Sequence, residues 1–235
     1  MEEAKDKLET YVNEIKEEII IEFHNLINEA LKLEADLESP VDISLFTYKD
    51  MEDFKYNDSL PQPTSYINDQ ENYGKWRYGL STIKDAGCGV IAGYNLSLAI
   101  GKRERLAETT IVFDLLGIRN VGFGYFGSNP YECNRYLDYK DISYCKASSY
   151  SEFKSLLKAF EGRSYHMILS AWNEVKLTAG GHLYYVDKDL NRDKQFKTYN
   201  FWDVTDRNGT NDVEKLFYDE DHISDNFMCA YFVLK

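Results

Sequence analysis

A cysteine between two glycines is the residue best placed to carry chemistry in this sequence. Cys88 lies in the segment DAGCGVIAGYN, directly before small and apolar residues whose pattern favours a buried helix. A helix N-terminus stabilises a thiolate through its dipole and its unpaired N–H groups, and the same groups can donate to an oxyanion. Gly87 and Gly89 would leave the sulfur approachable. We therefore interpret Cys88 as a candidate nucleophile, with a buried and inert thiol as the alternative.

The remaining cysteines lack such a setting, and we interpret Cys133, Cys145 and Cys229 as structural residues. The sequence has no C-x-x-C pair and no histidine at metal-ligand spacing, so neither a metal site nor a cofactor is predicted. Widely scattered cysteines in a chain of this size favour free thiols, which are typical of a reducing cytosol.

A nucleophilic cysteine needs a base, and His182 is the best candidate. It follows a Gly-Gly pair at the start of an apolar strand, where its side chain can project from a sheet edge into a cleft. His166 lies inside a strand with apolar neighbours, which predicts a core position. His24 and His222 lie in charged segments, so we predict that both are solvated.

A base needs an orienting group, and two residues after His182 are candidates. If residues 182–186 and 196–204 pair as a hairpin, Asn200 comes back towards His182, and its amide oxygen would hold the imidazole in one tautomer. Asp203 competes for this role. The sequence alone does not choose between them.

Three segments follow from composition. Residues 1–37 are predicted to form an N-terminal helical extension, because apolar residues recur at steps of three and four. Its apolar stripe must be covered by its own domain, a second copy or a partner. Residues 38–75 contain three of the four prolines and are interpreted as a surface-wrapping connector. Residues 76–235 form the main domain.

Helices precede strands within the main domain, and this order predicts an α+β fold with an antiparallel sheet. The predicted helices are 88–100, 104–116, a short one at Pro130, and 149–159, which opens with the capping box SYSE. The predicted strands are 165–172, 181–186, 196–204 and 227–234.

The chain order of these residues resembles the papain-like cysteine peptidase superfamily: a cysteine at a helix start, GGH at a strand start, then Asn or Asp on the next strand. DAGCGVIAGYN is similar to the cysteine motif of the bacterial double-glycine leader peptidases. The resemblance covers residues 76–235. It implies a papain-like fold, in which the cysteine helix packs on an antiparallel sheet. It also implies a nucleophile at Cys88, a general base at His182 and an orienting residue at Asn200 or Asp203.

The sequence departs from this family at the oxyanion site. The family usually places a glutamine several residues before the cysteine, whereas WRYGLSTIKDAGC has none. Hydroxyl groups of Tyr78, Ser81 or Thr82 are the candidate substitutes. Loss of one such donor costs on the order of 10²–10³ in turnover.

The predicted function is therefore that of a thiol-dependent hydrolase, which cleaves a peptide or isopeptide bond without a cofactor. One alternative is a catalytically degenerate relative that binds a peptide in the cleft where active members of the family hold their substrate. Another is a transglutaminase-like acyltransferase with the same triad types.

Charge and hydropathy limit the partners. The net charge of −13 disfavours nucleic acid and anionic membranes, which attract basic proteins. No apolar run approaches the roughly 20 residues of a membrane helix, and the acidic N-terminus is unlike a signal peptide. We therefore predict a cytoplasmic protein that acts on a peptide or protein substrate, with self-association through the N-terminal helix as a further option.

Overall fold

The computed structural model describes residues 17–22, 24–29, 32, 48–118, 127–174, 180–201 and 209–235. Predictions that fall on other residues, including the orienting role of Asp203 and the first part of the N-terminal helix, lie outside these ranges.

The helices largely follow the apolar patterns of the sequence. Those predicted at 88–100, at 104–116, at Pro130 and at 149–159 are confirmed, with ends that differ by one or two residues. The Ser149 side chain accepts the N–H of Glu152 (3.3 Å) at the last of them. The helices are α1 (helical residues 17–22 and 24–29), α2 (Tyr48–Ser59), α3 (Ile83–Ala86), α4 (Cys88–Ala99), α5 (Leu106–Leu115), α6 (Cys133–Tyr139), α7 (Tyr150–Ala159) and α8 (Ile223–Asn226), with short 3₁₀ helices at Gln70–Tyr73, Pro130–Glu132 and Glu214–Leu216.

The strands confirm a mixed fold of helices and antiparallel sheet. Two short strands, β1 and β2, form a hairpin just before α3. The other strands form a five-stranded antiparallel sheet in the order β3-β7-β4-β5-β6. Their bounds are β1 (Arg77–Tyr78), β2 (Ser81–Thr82), β3 (Cys145–Ala147), β4 (Tyr165–Trp172), β5 (Gly181–Lys188), β6 (Phe196–Tyr199) and β7 (Phe227–Leu234).

The central strand β4 is buried along its whole length because both faces of the sheet are covered. On one face, Ile168 and Tyr185 pack with residues of α4 and α5, and we call this cluster the α4 core. On the other face, Leu169 and Tyr184 pack with Phe153 of α7, and we call this cluster the α7 core. The two cores share the sheet as a common wall.

Helix α4 is the central helix that the sequence predicts, since every residue from Cys88 to Ser97 is buried. Its small residues admit close neighbours. A Cβ placed on Gly93 would lie 2.9 Å from the ring of Phe113 and 3.1 Å from that of Tyr136. These rings therefore pack directly on the α4 backbone, and α4 in turn packs on β5.

The segment predicted as a connector contains structure that the sequence pattern does not signal. Helix α2 packs on α5 and is tied to β1, since the Asn57 side chain bonds both the N–H and the carbonyl of Arg77 (2.9 and 2.8 Å). Ile67 is buried, and Asn95 of α4 bonds its N–H and its carbonyl (both 2.9 Å). The prediction missed α2 because its sequence, YKDMEDFKYNDS, is too polar to give an apolar stripe.

Helix α1 packs against its own domain. His24 is only 1% exposed and stacks on Trp172, with ring centroids 4.1 Å apart. The indole N–H of Trp172 donates to Asn28 (3.2 Å). The prediction that His24 is solvated is therefore wrong: its charged sequence neighbours occupy other faces of the helix. Ile19 and Leu26 of α1 remain exposed.

Within the described ranges, none of the helices combines the length and apolar character needed to cross a membrane.

Candidate active site

A tight turn between two helices places Cys88 at the first position of α4. Thr82 caps α3 by accepting the N–H of Asp85 (3.3 Å), and Gly87 then joins α3 to α4. A Cβ on Gly87 would lie 2.6 Å from the Cα of Ile83, so this turn admits only glycine.

The Cys88 sulfur lies among backbone groups at the start of α4. The side chain is 5% exposed, and a Cβ on Gly127 would approach Sγ to 3.7 Å. Burial raises the pKa of the Cys88 thiol, whereas the N–H groups of Leu183, Gly89 and Cys88 itself act in the opposite direction. Burial is the larger effect, so the thiol is protonated in this state.

Gly89 has a packing role in addition to the access predicted from the sequence. A Cβ at this position would lie 2.9 Å from the Ser128 side chain. The segment from Gly127 to Asn129 can therefore rest directly on the first turn of α4. Gly87 thus allows close approach of backbone to backbone, and Gly89 allows close approach of the Ser128 side chain.

His182 lies at the beginning of β5 and is held by the main chain of Asn200. Its Nε2 lies 2.5 Å from the Asn200 carbonyl oxygen. A carbonyl can only accept a hydrogen bond, so Nε2 carries the proton and Nδ1 is the basic nitrogen of the neutral ring. Burial lowers the pKa of His182 to about 4, although the bond to Asn200 raises it. The imidazole is therefore neutral at pH 7.

The backbone of β5 connects His182 to Cys88. Leu183, whose backbone N–H lowers the pKa of the Cys88 thiol, is the residue after His182. The His182 ring lies beside the ring of Tyr184 (centroids 5.8 Å apart), on the α7-core side of the strand. Leu183 belongs to the α4 core. Cys88 also belongs to the α4 core, so it lies on the side of the strand opposite to the His182 ring.

Asn200 reaches His182 as predicted, but through a different atom. The β5–β6 hairpin pairs Tyr185 with Tyr199, which brings Asn200 back towards the start of β5. Its main-chain carbonyl contacts His182, while its side chain bonds Gln70 twice: Oδ1 accepts the Gln70 N–H (3.0 Å) and Nδ2 donates to Gln70 Oε1 (2.9 Å). The predicted bond from the amide oxygen to the imidazole is therefore replaced by one from the carbonyl.

Gln70 is a residue that the sequence analysis missed. It is 3% exposed, and its Nε2 donates to the carbonyl of Lys84 in α3 (2.7 Å). Its partner Asn200 is 130 positions away in the chain. No local pattern could reveal this pairing, and Gln70 lies in the segment that composition marks as a connector.

Two of the three predicted hydroxyl donors, Tyr78 and Thr82, have other described side-chain contacts. The Tyr78 hydroxyl donates to the carbonyl of Ile118 (2.7 Å) and also bonds Ser128 (2.8 Å). The Thr82 hydroxyl donates to the Asp85 carboxylate (2.7 Å). Ser81 pairs with Tyr78 across the β1–β2 hairpin. The backbone N–H groups of Cys88 and Gly89, which lower the pKa of the thiol, are the alternative candidate donors.

The other cysteines and histidines have different surroundings, although Cys133 is near enough to Cys88 to interact with it electrostatically. Cys133 and Cys229 are buried, which raises the pKa of both thiols, and Cys145 is exposed on β3. His166 is buried as predicted, with Nδ1 2.7 Å from the Tyr185 hydroxyl. His222 is half-buried beside Asp219. Within the described ranges, no group of three or more His, Cys, Asp or Glu side chains is arranged to hold a metal ion.

Comparison with known proteins gives no relative from which a role for this arrangement can be transferred: no family model matches the chain, and neither a curated protein nor a solved structure is significantly similar to it.

Proposed function

We propose that the chain is a thiol-dependent hydrolase of the papain-like type, which cleaves a peptide or isopeptide bond with Cys88 as nucleophile and His182 as general base. One arrangement carries the proposal: Cys88 begins α4, which packs on β5, and His182 lies at the start of β5 with its Nε2 2.5 Å from the Asn200 carbonyl oxygen. This arrangement supports a nucleophile, a base and an orienting group near one end of β5.

The atoms of the site have defined roles in the proposed reaction. The His182 ring, which rests beside Tyr184 on the α7-core side of β5, must first come within reach of the sulfur on the α4-core side. Cys88 then transfers its proton to Nδ1 of His182 as the sulfur attacks the substrate carbonyl carbon. The N–H groups of Cys88 and Gly89 donate to the resulting oxyanion. His182 then protonates the leaving amine, the C–N bond breaks, and a thioester remains. A water molecule, deprotonated by His182, hydrolyses the thioester and restores the thiol.

The Asn200 carbonyl supports this sequence of proton transfers. It keeps the proton of the neutral ring on Nε2, so Nδ1 stays able to accept a proton from the thiol. Once Nδ1 is protonated, the same carbonyl stabilises the positive ring. The resting pair is thiol and neutral imidazole, because burial disfavours both ions. Substrate binding must therefore widen the approach to the sulfur and favour the ion pair.

Alkylation of Cys88 by iodoacetamide tests the proposal. The exposed Cys145 must first be replaced, so the experiment uses Cys145→Ser as the parent protein. We expect Cys88 to react faster near neutral pH than the buried Cys133 and Cys229, as followed by mass spectrometry of peptides. Adding Cys88→Ala should abolish this fast reaction while the fold is retained.

His182→Ala provides the decisive comparison in the same parent protein. If His182 acts as the base, its loss slows Cys88 alkylation near pH 7 and moves the reaction to higher pH, where the thiol ionises unaided. A rate that is unchanged by this substitution contradicts the proposal.

A second candidate function is peptide binding by a catalytically inactive relative. It is favoured by the burial of Cys88 and His182 and by the position of the His182 ring beside Tyr184. This function predicts a Cys88 alkylation profile set by its raised pKa alone. It also predicts that binding of a cognate peptide survives Cys88→Ala without any cleavage.

A further inference from the structure

Gln70 and Asn200 form a reciprocal pair beside the candidate base. The main-chain N–H of Gln70 donates to the amide oxygen of Asn200 (3.0 Å), and the amide nitrogen of Asn200 donates to Oε1 of Gln70 (2.9 Å). Both residues are buried, with exposures of 3% and 1%. The side-chain amide of Asn200 is thus fixed at both ends by one residue.

The backbone of Asn200 needs this support. Its φ is 63°, in the left-handed region that non-glycine residues seldom adopt, although asparagine tolerates it better than most. In this conformation its carbonyl oxygen meets Nε2 of His182. The pair with Gln70 therefore stabilises the left-handed backbone conformation in which the carbonyl meets the imidazole.

Gln70 also connects this pair to the cysteine side of the site. Its Nε2 donates to the carbonyl of Lys84 (2.7 Å) in α3, the helix that leads into Cys88. Asp69 starts the 3₁₀ helix of Gln70 by accepting the N–H of Glu71 (3.0 Å). One buried side chain thereby spans from α3, the helix before Cys88, to the residue that contacts His182.

We propose that Gln70 is a positioning residue for the candidate base, which acts through Asn200 to keep the proton of neutral His182 on Nε2. This inference rests on the proposed function for its catalytic consequence, but its physical claim concerns only His182. The cysteine motif lacks the glutamine that the family uses as an oxyanion donor. Gln70, which lies outside that motif, would have a different role, because it holds the residue that contacts the imidazole.

The direct test is the protonation state of His182, measured by nitrogen NMR of the full-length chain with ¹⁵N-labelled histidine. In the unmodified protein at pH 7 we expect one tautomer, protonated on Nε2. In Gln70→Ala we expect a mixture of both tautomers, because the carbonyl of Asn200 is no longer held. A single Nε2-protonated form in Gln70→Ala overturns the proposal.

Gln62→Ala is the matched control. Gln62 also braces a turn through its side-chain amide, which donates to the carbonyls of Asn57 and Leu60 (2.9 and 3.0 Å). A general loosening of the fold would affect both variants alike. We expect the His182 tautomer to change only in Gln70→Ala, and equal changes in both variants contradict the proposal.

Asn200→Gly separates the side chain from the carbonyl and covers the case in which Gln70→Ala does not fold. Glycine adopts the left-handed conformation without strain and keeps the carbonyl, but Gln70 can no longer hold it. We expect the same mixture of tautomers as in Gln70→Ala, with no further change in the double variant. Retention of the single tautomer in Asn200→Gly counts against the proposal.

The activity readout distinguishes failure of this inference from failure of the proposed function. If the hydrolase activity exists, Gln70→Ala should lower kcat by on the order of 10²-fold with little change in KM, as for a misplaced catalytic group. If the unmodified protein has no activity, the proposed function fails, and the NMR comparison still decides the role of Gln70.

Discussion

Burial determines the resting protonation of the two reactive residues. The Cys88 thiol and the His182 imidazole both lie almost wholly out of solvent, and each is shifted towards its neutral form. A neutral pair avoids two isolated charges in a medium of low dielectric constant. In the proposed reaction, transfer of one proton from Cys88 to His182 would leave the net charge of the site unchanged. The reactivity of Cys88 in the proposed function therefore depends on how a bound substrate changes the protonation states of Cys88 and His182.

The depressed pKa of His182 predicts a dependence of stability on pH. The pKa is about 4 in the folded chain against an ordinary value of 6.5, so the unfolded chain binds more protons between these values. The free energy of unfolding therefore rises with pH through this window. The free energy of unfolding has its full value above pH 6.5. It decreases by roughly 3 kcal/mol as the pH falls towards 4.

Urea unfolding of the unmodified protein and of His182→Gln at pH 7 and pH 5 measures this contribution. The variant should lose less stability on acidification. His222→Gln is the control with the opposite sign: hydrogen bonding with Asp219 raises the pKa of His222, so its stabilisation is present at low pH and is lost as the pH rises. Equal acid sensitivity of the unmodified protein and His182→Gln would show that His182 is not buried in its neutral form.

Close packing on the first turn of α4 predicts that Gly89→Ala is destabilising. The added methyl would lie 2.9 Å from Ser128, so the 127–129 segment must shift, at a cost of about 1–3 kcal/mol. Gly74→Ala is a matched control, because its methyl would meet only Lys84 Cδ at 3.5 Å and its φ of −65° suits alanine. Thermal unfolding of both variants checks the prediction, which equal melting temperatures would contradict.

Residue types and local patterns identified Cys88 and His182 as candidates, but not the contacts around them. The glycine-flanked cysteine and the GGH strand start are local signals. The contact of Asn200 through its carbonyl depends on a left-handed φ, and the pairing with Gln70 joins distant parts of the chain. The burial of His24 depends on a tertiary partner, Trp172. Such features are set by the fold rather than by neighbouring residues.

At the level of elements, apolar periodicity predicted well wherever an element faces a core. Helix α4 and strand β4 are buried on all sides, and their continuous apolar runs indicated both. Helix α2 is polar and is attached by side-chain hydrogen bonds, such as those of Asn57, so it gave no periodic signal. Hydrophobic pattern reports burial of apolar surface, and it says little about elements attached through polar contacts.

The contact between α1 and the end of β4 predicts that His24→Ala weakens docking of this helix. The stack on Trp172 contributes about 0.5–1.5 kcal/mol beyond the area that it buries. Leu26→Ala is the control, since Leu26 is 68% exposed on the same helix and its truncation should change stability by less than about 0.5 kcal/mol. Limited proteolysis near residues 17–29 should accelerate in His24→Ala only. Equal rates in the two variants would mean that α1 is not held at Trp172.

For the whole molecule, the order of helices before strands predicted the α+β class because each sheet face needs a covering layer. The order of strands in the sheet could not be predicted in this way. Strand β7, the last in sequence, lies between β3 and β4. Its place in the sheet depends on pairing with β3 and β4, which are distant from it in sequence.

Because one sheet contributes residues to both the α4 core and the α7 core, we predict that the two cores unfold together. Leu169 is fully buried in the α7 core, whereas Trp76 and Trp172 belong to the α4 core on the other face of the sheet. Leu169→Ala should cost about 2–5 kcal/mol through lost burial and the cavity that remains. Because β4 contributes to both cores, we expect tryptophan fluorescence and far-UV circular dichroism to show one transition, shifted equally to lower denaturant.

Leu190→Ala, at a position 37% exposed, should leave the midpoint nearly unchanged. If instead the circular dichroism transition splits while the fluorescence midpoint stays in place, the cores are independent and β4 does not couple them.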